Sequence, residues 1–286
     1  MANLYVVSTP IGNLGDITYR AVDVLGRVGR ILAEDTRRTS ILLRHYGITT
    51  RLVSAHAHNE AARAAQLVTW LDAGEDVAIV SDAGTPLISD PGARIVQRVV
   101  EAGHRVIPVP GPSALLAALV ASGLEPEPFT FFGFTPRSGQ ARAARLAAIE
   151  ALPHTAVLYE APGRLAALLR ELKARCGDDR RVVVARELTK VHETFFRGTL
   201  AEAAAYYAQE AARGEVVVLL AGSTETAPAE TALDEARALA RELLAEGRRP
   251  STVARELARR LGLSRNQAYD IVVSIHSEDE EGGREG

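Results

Sequence analysis

The chain is short of several things. It has one cysteine, Cys176, in 286 residues, which excludes an internal disulfide and any metal site built from thiolates. No apolar run is long enough to span a bilayer. The opening MANLYVVSTP lacks the basic region and long apolar stretch of a secretory leader, so a cytoplasmic location is expected. Lysine is nearly missing: Lys173 and Lys190 stand beside 31 arginines, a bias that with the many alanines points to coding preference. Four of the six phenylalanines fall in Phe129–Phe134, FTFFGF, which reads as a core strand rather than a base-stacking face. Neither GxGxxG nor GxxxxGK[ST] occurs, which disfavours a dinucleotide fold and a P-loop NTPase. His56 and His58 have no third ligand nearby in sequence, so no metal site is expected.

What is present is ordinary for a globular protein: 47% hydrophobic and 24% charged residues, in a chain long enough for two core-bearing domains. The chain is organised around residues 77 to 92, VAIVSDAGTPLISDPG. Val77–Val80 is a short β-branched run, the pattern of a strand buried on both faces. Ser81–Pro86 is a small-residue turn. Asp90-Pro91 reads as a helix N-cap followed by proline at the first helical position, and Ile95, Val96, Val99 and Val100 recur at helical spacing. Two further strands also end in small-residue loops: Leu4–Val7 before Ser8–Asp16, with Asp16 as the expected cap of the next helix, and Val106–Val109 before Pro110–Ala114. In open α/β sheets, ligands gather beyond the carboxyl ends of strands, and glycine and alanine let backbone approach them closely. A third strand, Arg30–Ala33, ends in the ionisable run Glu34-Asp35-Thr36-Arg37-Arg38, read as a polar wall of the same site.

A break at Gly123–Pro128 separates residues 1–122 from a second α/β half, 123–223. The second half holds strands at 129–134, 157–159, 182–185 and 216–220, and an antiparallel neighbour at 194–198. A polar linker (224–231) leads to three helical segments (232–276). In the last two, Val253, Ala254, Leu257 and Leu261 share one face, Gly262 ends the first helix and Ser264 caps the second, a helix-turn-helix pattern. Arg248, Arg249, Arg255, Arg259, Arg260 and Arg265 outnumber Glu256 and Asp270, which suits phosphate contact. The remainder, 277–286, carries a net charge of −4 and is expected to be a disordered acidic tail; the overall charge is −3.

The segments LYVVSTPIGN (4–13), LAEDTRR (32–38), SDAGTPLISDP (81–91), PVPGPS (108–113) and RELTKVHE (186–193) together resemble the tetrapyrrole-methylase-like methyltransferases. Within that superfamily they are similar to the branch that methylates the ribose 2′-oxygen of a cytidine in 16S ribosomal RNA. The resemblance implies a class III methyltransferase fold of two α/β domains, with S-adenosylmethionine in the cleft between them, a small C-terminal helical domain, and a homodimer. It assigns donor contacts to Pro10, Ile11, Gly12, Asn13, Asp82, Ala83, Gly84, Thr85, Pro86, Pro112, Ser113 and Ala114. From the second domain it adds Leu188, Thr189, Ala221 and Gly222. Where that family reads YESPHR, this chain has Tyr159-Glu160-Ala161-Pro162-Gly163-Arg164, so any role of the missing hydroxyl and imidazole is not carried over.

The implied reaction transfers a methyl group to a hydroxyl, so a base is needed. Glu160, Glu187, Lys190 and Asp35 are candidates, Lys190 requiring a pKa depressed by neighbouring Arg186. Arg37, Arg38, Arg164, Arg186 and the six C-terminal arginines suit contacts with RNA of the 30S subunit. No metal is called for. Two other readings fit part of the sequence: methylation of a small molecule such as a corrin precursor, and a ligand-sensing helix-turn-helix regulator. The arginine-rich C-terminal helices weigh against the first, and the polar loops 35–38 and 186–190 against the second.

Overall fold

The computed structural model describes residues 2–56, 59–223 and 230–282, with backbone alone for 230–232 and 276–282. The chain forms two compact units, residues 1–223 and 224–286.

The first unit contains two five-stranded sheets. Strands β1 (Asn3–Val7), β2 (Arg30–Ala33), β3 (Arg51–Ser54), β4 (Val77–Val80) and β5 (Arg105–Val109) form the first, in the order β3-β2-β4-β1-β5. Every pair in it is parallel. Helices α1 (Tyr19–Arg27), α2 (Thr36–His45), α3 (Glu60–Asp72) and α4 (Ala93–Glu101) make the crossovers. One apolar cluster, with Val24, Leu25 and Val80, fills one side; another, with Leu67, Ile79, Ile95 and Val99, fills the other. Burial on both faces explains why β4 reads as uninterrupted VAIV.

Strands β6 (Phe129–Phe134), β7 (Thr155–Glu160), β8 (Arg181–Arg186), β9 (Thr194–Thr199) and β10 (Val216–Leu220) form the second sheet, ordered β6-β7-β10-β8-β9. Only β6 and β7 are parallel; β10 runs antiparallel to both β7 and β8. Helices α6 (Gly139–Glu150), α7 (Pro162–Cys176) and α8 (Leu200–Gln209) cover one face through Leu146, Leu165, Leu168 and Tyr207. The other face is covered by α5 (Ala114–Ser122), whose Ala118 and Leu119 pack on Val157, Val183, Val217 and Leu219. So α5, assigned by its place in the sequence to the first half, belongs by packing to the second sheet. Each fully buried aliphatic side chain there contributes about 1.5–3 kcal/mol.

Several local expectations change. The cap of α1 is Thr18, whose side chain accepts from Ala21 N, and Asp16 lies in a short 3-10 turn before it. Asp35, read as part of a polar wall, caps α2 by accepting from Arg37 N. Strand β6 is an edge strand with Phe129 and Phe134 exposed, so FTFFGF is only partly core.

The second unit holds α9 (Glu230–Ala245), α10 (Pro250–Leu261) and α11 (Arg265–Gly282), sharing a core of Ala240, Leu243, Val253, Leu257, Ile271 and Ile275. Gly262 closes α10 in a left-handed conformation, and Ser264 accepts from Gln267 N at the start of α11. Of the expected linker, 224–229 lie outside the described residues, and 230–231 begin α9. Helix α11 runs to Gly282, so 277–282 are helical rather than part of an unstructured tail; 283–286 lie outside the described residues.

Candidate active site

Three small-residue loops leave the carboxyl ends of β1, β4 and β5 and are tied together by hydrogen bonds. Thr9 N donates to Gly84 O at 2.9 Å and Gly84 N to Thr9 O at 3.0 Å. The Ser8 hydroxyl donates to Thr85 Oγ1, which in turn donates to Pro112 O, both at 3.2 Å. Gly84 has φ 84°, and a Cβ there would stand 3.2 Å from Ile11 Cγ2, so glycine satisfies both backbone and space.

Between these loops and the second sheet lies a cavity of about 390 Å³. The first sheet contributes Ile11, Glu34, Arg38, Asp82–Thr85, Ile88–Asp90 and Ser113–Ala114. The second contributes Phe134, Tyr159–Pro162, Leu188 and Gly214–Val217. The structure therefore gathers Ile11, Asp82, Ala83, Gly84, Thr85, Ser113, Ala114, Leu188 and Glu160 around one cavity. Pro10 lines a smaller hollow beside α2 instead. Gly12 lies against the second sheet: a Cβ on it would be 2.5 Å from Lys190 Cγ and 3.0 Å from Thr189 Oγ1. Asn13 caps the 3-10 turn, and Pro86 and Pro112 flank the lining residues, Pro112 through its carbonyl.

Ala221 and Gly222 are not at the cavity. Because β10 is antiparallel to β7 and β8, its amino end, Val216, pairs with Glu160 and Arg186, and its carboxyl end points away. Ala221 N bonds Arg181 O, and Gly222 packs against the Pro153–His154 backbone. The carboxyl-end rule for parallel sheets does not hold for this strand, and Gly214–Val217 take the expected place.

The candidate bases are all engaged. Glu160 is 2% exposed; its carboxylate accepts from the Thr135 hydroxyl and Ala161 N and pairs with Arg164. Glu187 accepts from Lys190 Nζ and Glu215 N, each at 2.9 Å, and the Lys190 hydrogen bond holds its carboxyl below the ordinary glutamate range. Lys190 pairs with Glu187 and with Glu215 at 3.2 Å. Burial works against its charge, yet the two carboxylates outweigh burial and raise its pKa, opposite to the depression a basic lysine needs. Neither Glu187 nor Lys190 lines the cavity. Asp35 is committed to capping α2.

Three carboxylates from two different βα loops, whose proximity no local spacing signals, stand on the wall: Glu34, Asp82 and Asp90. Burial raises Glu34, with Asp82 adding to it. Burial, then Glu34 and Asp82, push Asp90 up to about 6. Asp90 does not cap α4 as expected. The N-cap is Gly92 (φ 124°), and Glu60 of α3 accepts from Gly92 N at 2.9 Å and Arg94 N at 3.1 Å.

The arginines separate. Arg37 is 92% exposed and Arg38 stands 3.8 Å from Asp82 at the cavity mouth. Arg164 is turned inward to Glu160 and Thr135 O. Arg186 shares the face of Val184 and interacts with Tyr207 of α8, away from the cavity, with its Nε buried and lacking a hydrogen-bond partner. In the second unit Arg259 and Arg260 both bond Glu256, and Arg248 pairs with Glu246; Arg249, Arg255 and Arg265 are exposed. His58 lies outside the described residues, and His56 meets Asn59. No described helix is long and apolar enough to cross a membrane.

The family described as Tetrapyrrole (Corrin/Porphyrin) Methylases matches residues 3–204. The solved uroporphyrin-III-C-methyltransferase of Thermus thermophilus superposes with a TM-score of 0.55 at 21% identity, over 77% of this chain and 94% of that one, which shows the shared fold. A protein of Synechocystis sp. named ribosomal RNA small subunit methyltransferase I is 44% identical over 97% of this chain and 100% of its own length. Its namesake from Escherichia coli O157:H7 is 48% identical over 77% of each chain. The chain belongs to the tetrapyrrole methylase family and, within it, to the group of the ribosomal RNA small subunit methyltransferase I proteins.

Proposed function

We infer that this protein is a methyltransferase acting on RNA of the small ribosomal subunit, with S-adenosylmethionine as donor and the ribose 2′-oxygen of a 16S cytidine as acceptor. The observation that carries the reading is the cavity where the loops of β1, β4 and β5 face the second sheet. Its size lies within the roughly 300–1,000 Å³ of small-molecule sites, and its lining suits this donor. Ile11, Leu188 and Val217 offer apolar surface for a purine, and Ala83, Gly84 and Ala114 let backbone reach polar atoms. Asp82, beside Ala83 and Gly84, faces a ligand bearing a sulfonium and an ammonium. Thr189 Oγ1, buried without a hydrogen-bond partner beside Gly12, is a polar atom still to be satisfied.

Bound there, the donor supplies a methyl carbon already activated by positive sulfur. The protein's task is then placement, which supplies several kcal/mol of the barrier when reacting atoms are held at about 3 Å. The two sheets enclose the reacting groups, Arg38 at the mouth meets phosphate, and the exposed arginines of α10 and α11 hold RNA through its backbone. Exposed Leu116 and Val120 on α5 support a homodimer. A cytoplasmic location follows from a ribosomal substrate.

The test is methyl transfer from labelled S-adenosylmethionine to unmodified 30S particles, followed by nucleoside mass spectrometry. A 2′-O-methylcytidine product is expected. Donor binding without label in RNA would sink the reading, and turnover of a tetrapyrrole in the absence of RNA would replace it with small-molecule methylation.

A further inference from the structure

We propose that Asp90 is the base that takes the proton from the attacking ribose hydroxyl, placed in the cleft by a loop that withholds it from the helix it precedes. The proposal rests on the functional reading above and deepens it. Three observations meet at this residue.

The first is elimination. Glu160, Glu187 and Lys190 each have their charge answered by protein partners, as does Asp35 through its cap. Asp90 lines the cavity, and Ser81 is the group that lowers its pKa by hydrogen bonding.

The second is the loop. Asp before Pro at a helix start ordinarily caps that helix. Here Glu60 takes the amide hydrogens of Gly92 and Arg94, which frees the Asp90 carboxylate. Leu87, Ser89 and Gly92 have φ of 74°, 67° and 124°, so the chain between β4 and α4 is turned sharply. A Cβ on Gly92 would stand 2.8 Å from Leu87 Cδ2 and 3.1 Å from Ile79 Cδ1, so the turn packs tightly on the first sheet. A Cβ on Gly133 would stand 3.2 Å from Ser89 Oγ, so the same loop abuts β6 of the second sheet. Asp90 is thereby held between the two sheets, where an acceptor has to enter.

The third is its surroundings. Glu34 faces it from the end of β2, Asp82 from the loop after β4, and Tyr159 from β7, whose hydroxyl accepts from Leu115 N at 3.2 Å. Arg38 and His56 act on Glu34. Burial and these carboxylates make Asp90 more basic than an ordinary aspartate while leaving it ionised at neutral pH, the match a general base needs. As the oxygen–methyl bond forms, the carbon–sulfur bond breaks with its electron pair going to sulfur, and the hydroxyl proton passes to Asp90. The sulfonium becomes a neutral thioether and the carboxylate a neutral acid. Protonation also relieves repulsion from Glu34 and Asp82.

The test uses full-length protein and the isosteric Asp90→Asn, with Glu34→Gln alongside. For Asp90→Asn, kcat on 30S particles should fall by about 100-fold or more. S-adenosylmethionine affinity by calorimetry should change by less than about threefold, and the acid limb of the wild-type pH–rate profile near 6 should disappear. In donor-free protein, carboxyl-labelled aspartate should give a ¹³C resonance titrating near 6 that Asp90→Asn removes. Glu34→Gln should shift that resonance downward, because one of the two carboxylates that raise Asp90 is then neutral. The proposal is overturned if Asp90→Asn keeps kcat within about fivefold while the wild type is active. It is equally overturned if donor affinity falls in step with kcat, which would make Asp90 a donor contact. A wild type that methylates no RNA marks failure of the functional reading itself.

Discussion

Glu60 Oε1 lies 2.9 Å from the amide nitrogen of Gly92, across 32 residues of sequence, and closes the amino end of α4 from a neighbouring helix. A charged acceptor in that position stabilises a helix end through both hydrogen bonding and the helix dipole. Glu60→Ala should therefore lower the stability of the first unit by about 1 kcal/mol. Urea unfolding, monitored by a probe confined to that unit, measures it; an unchanged midpoint would deny the cap its role.

Asp90 should carry the opposite sign. Its folded pKa, about 6, is above the ordinary aspartate value of 3.8. The folded state therefore holds the proton more tightly, and stability is lost as pH rises from about 4 through 6. At pH 7, Asp90→Asn should be the more stable protein, by about 1 kcal/mol once screening at a half-exposed group is allowed for, and the difference should vanish near pH 3.5. Denaturation midpoints of both proteins across pH 3.5 to 7.5 would show it; parallel curves would contradict it.

Arg164 neutralises a carboxylate that has no access to water. The Glu160 side chain is 0% exposed and Arg164 29%. Removing the guanidinium leaves a buried charge held by the Thr135 hydroxyl and Ala161 N, so Arg164→Met should cost about 3 kcal/mol or more. Glu160→Gln in the same background should recover much of that loss. Additive effects in this double-mutant cycle would mean the pair is not coupled.

Gly12 brings the β1 loop against Thr189 and Lys190, which follow β8. Gly12→Ala places a methyl group 2.5 Å from Lys190 Cγ and 2.9 Å from its Cε. The lysine must move, and with it Thr189 and the ion pairs to Glu187 and Glu215. Donor affinity should fall about tenfold, about 1.4 kcal/mol, with little change in thermal stability because the displaced side chain is flexible. Calorimetric titration with S-adenosylmethionine decides; unaltered affinity would show that the loop is no part of the binding site.

The C-terminal arginines should not be equal. Arg259 and Arg260 share Glu256, whereas Arg255 and Arg265 are exposed. Replacing Arg255 or Arg265 by Gln should each lower the salt slope of RNA binding by about 1, and replacing Arg260 should lower it less. Equal slopes for all variants would place the RNA-binding surface elsewhere.

Local sequence carried a great deal. Val77–Val80 and Val216–Leu220 announce buried strands because continuous β-branched and aliphatic residues suit a surface covered on both sides. The loops at 8–13, 81–86 and 110–114 follow strands in a parallel sheet, so their convergence is legible in the sequence alone. Gly262 and Ser264 marked the turn between α10 and α11 by their backbone and capping chemistry. Tertiary structure decided the rest. The antiparallel direction of β10 exchanged Ala221–Gly222 for Gly214–Val217 at the site. Packing on the second sheet took α5 from the first half. Glu60, distant in sequence, took the cap that Asp90 was expected to supply, and Thr135 and Arg164 claimed Glu160. The physical reason is that residue spacing encodes the period of an element and the shape of its turns, whereas the face an element packs on, and the group that meets a buried or terminal polar atom, depend on which strands and helices lie side by side and in which direction they run.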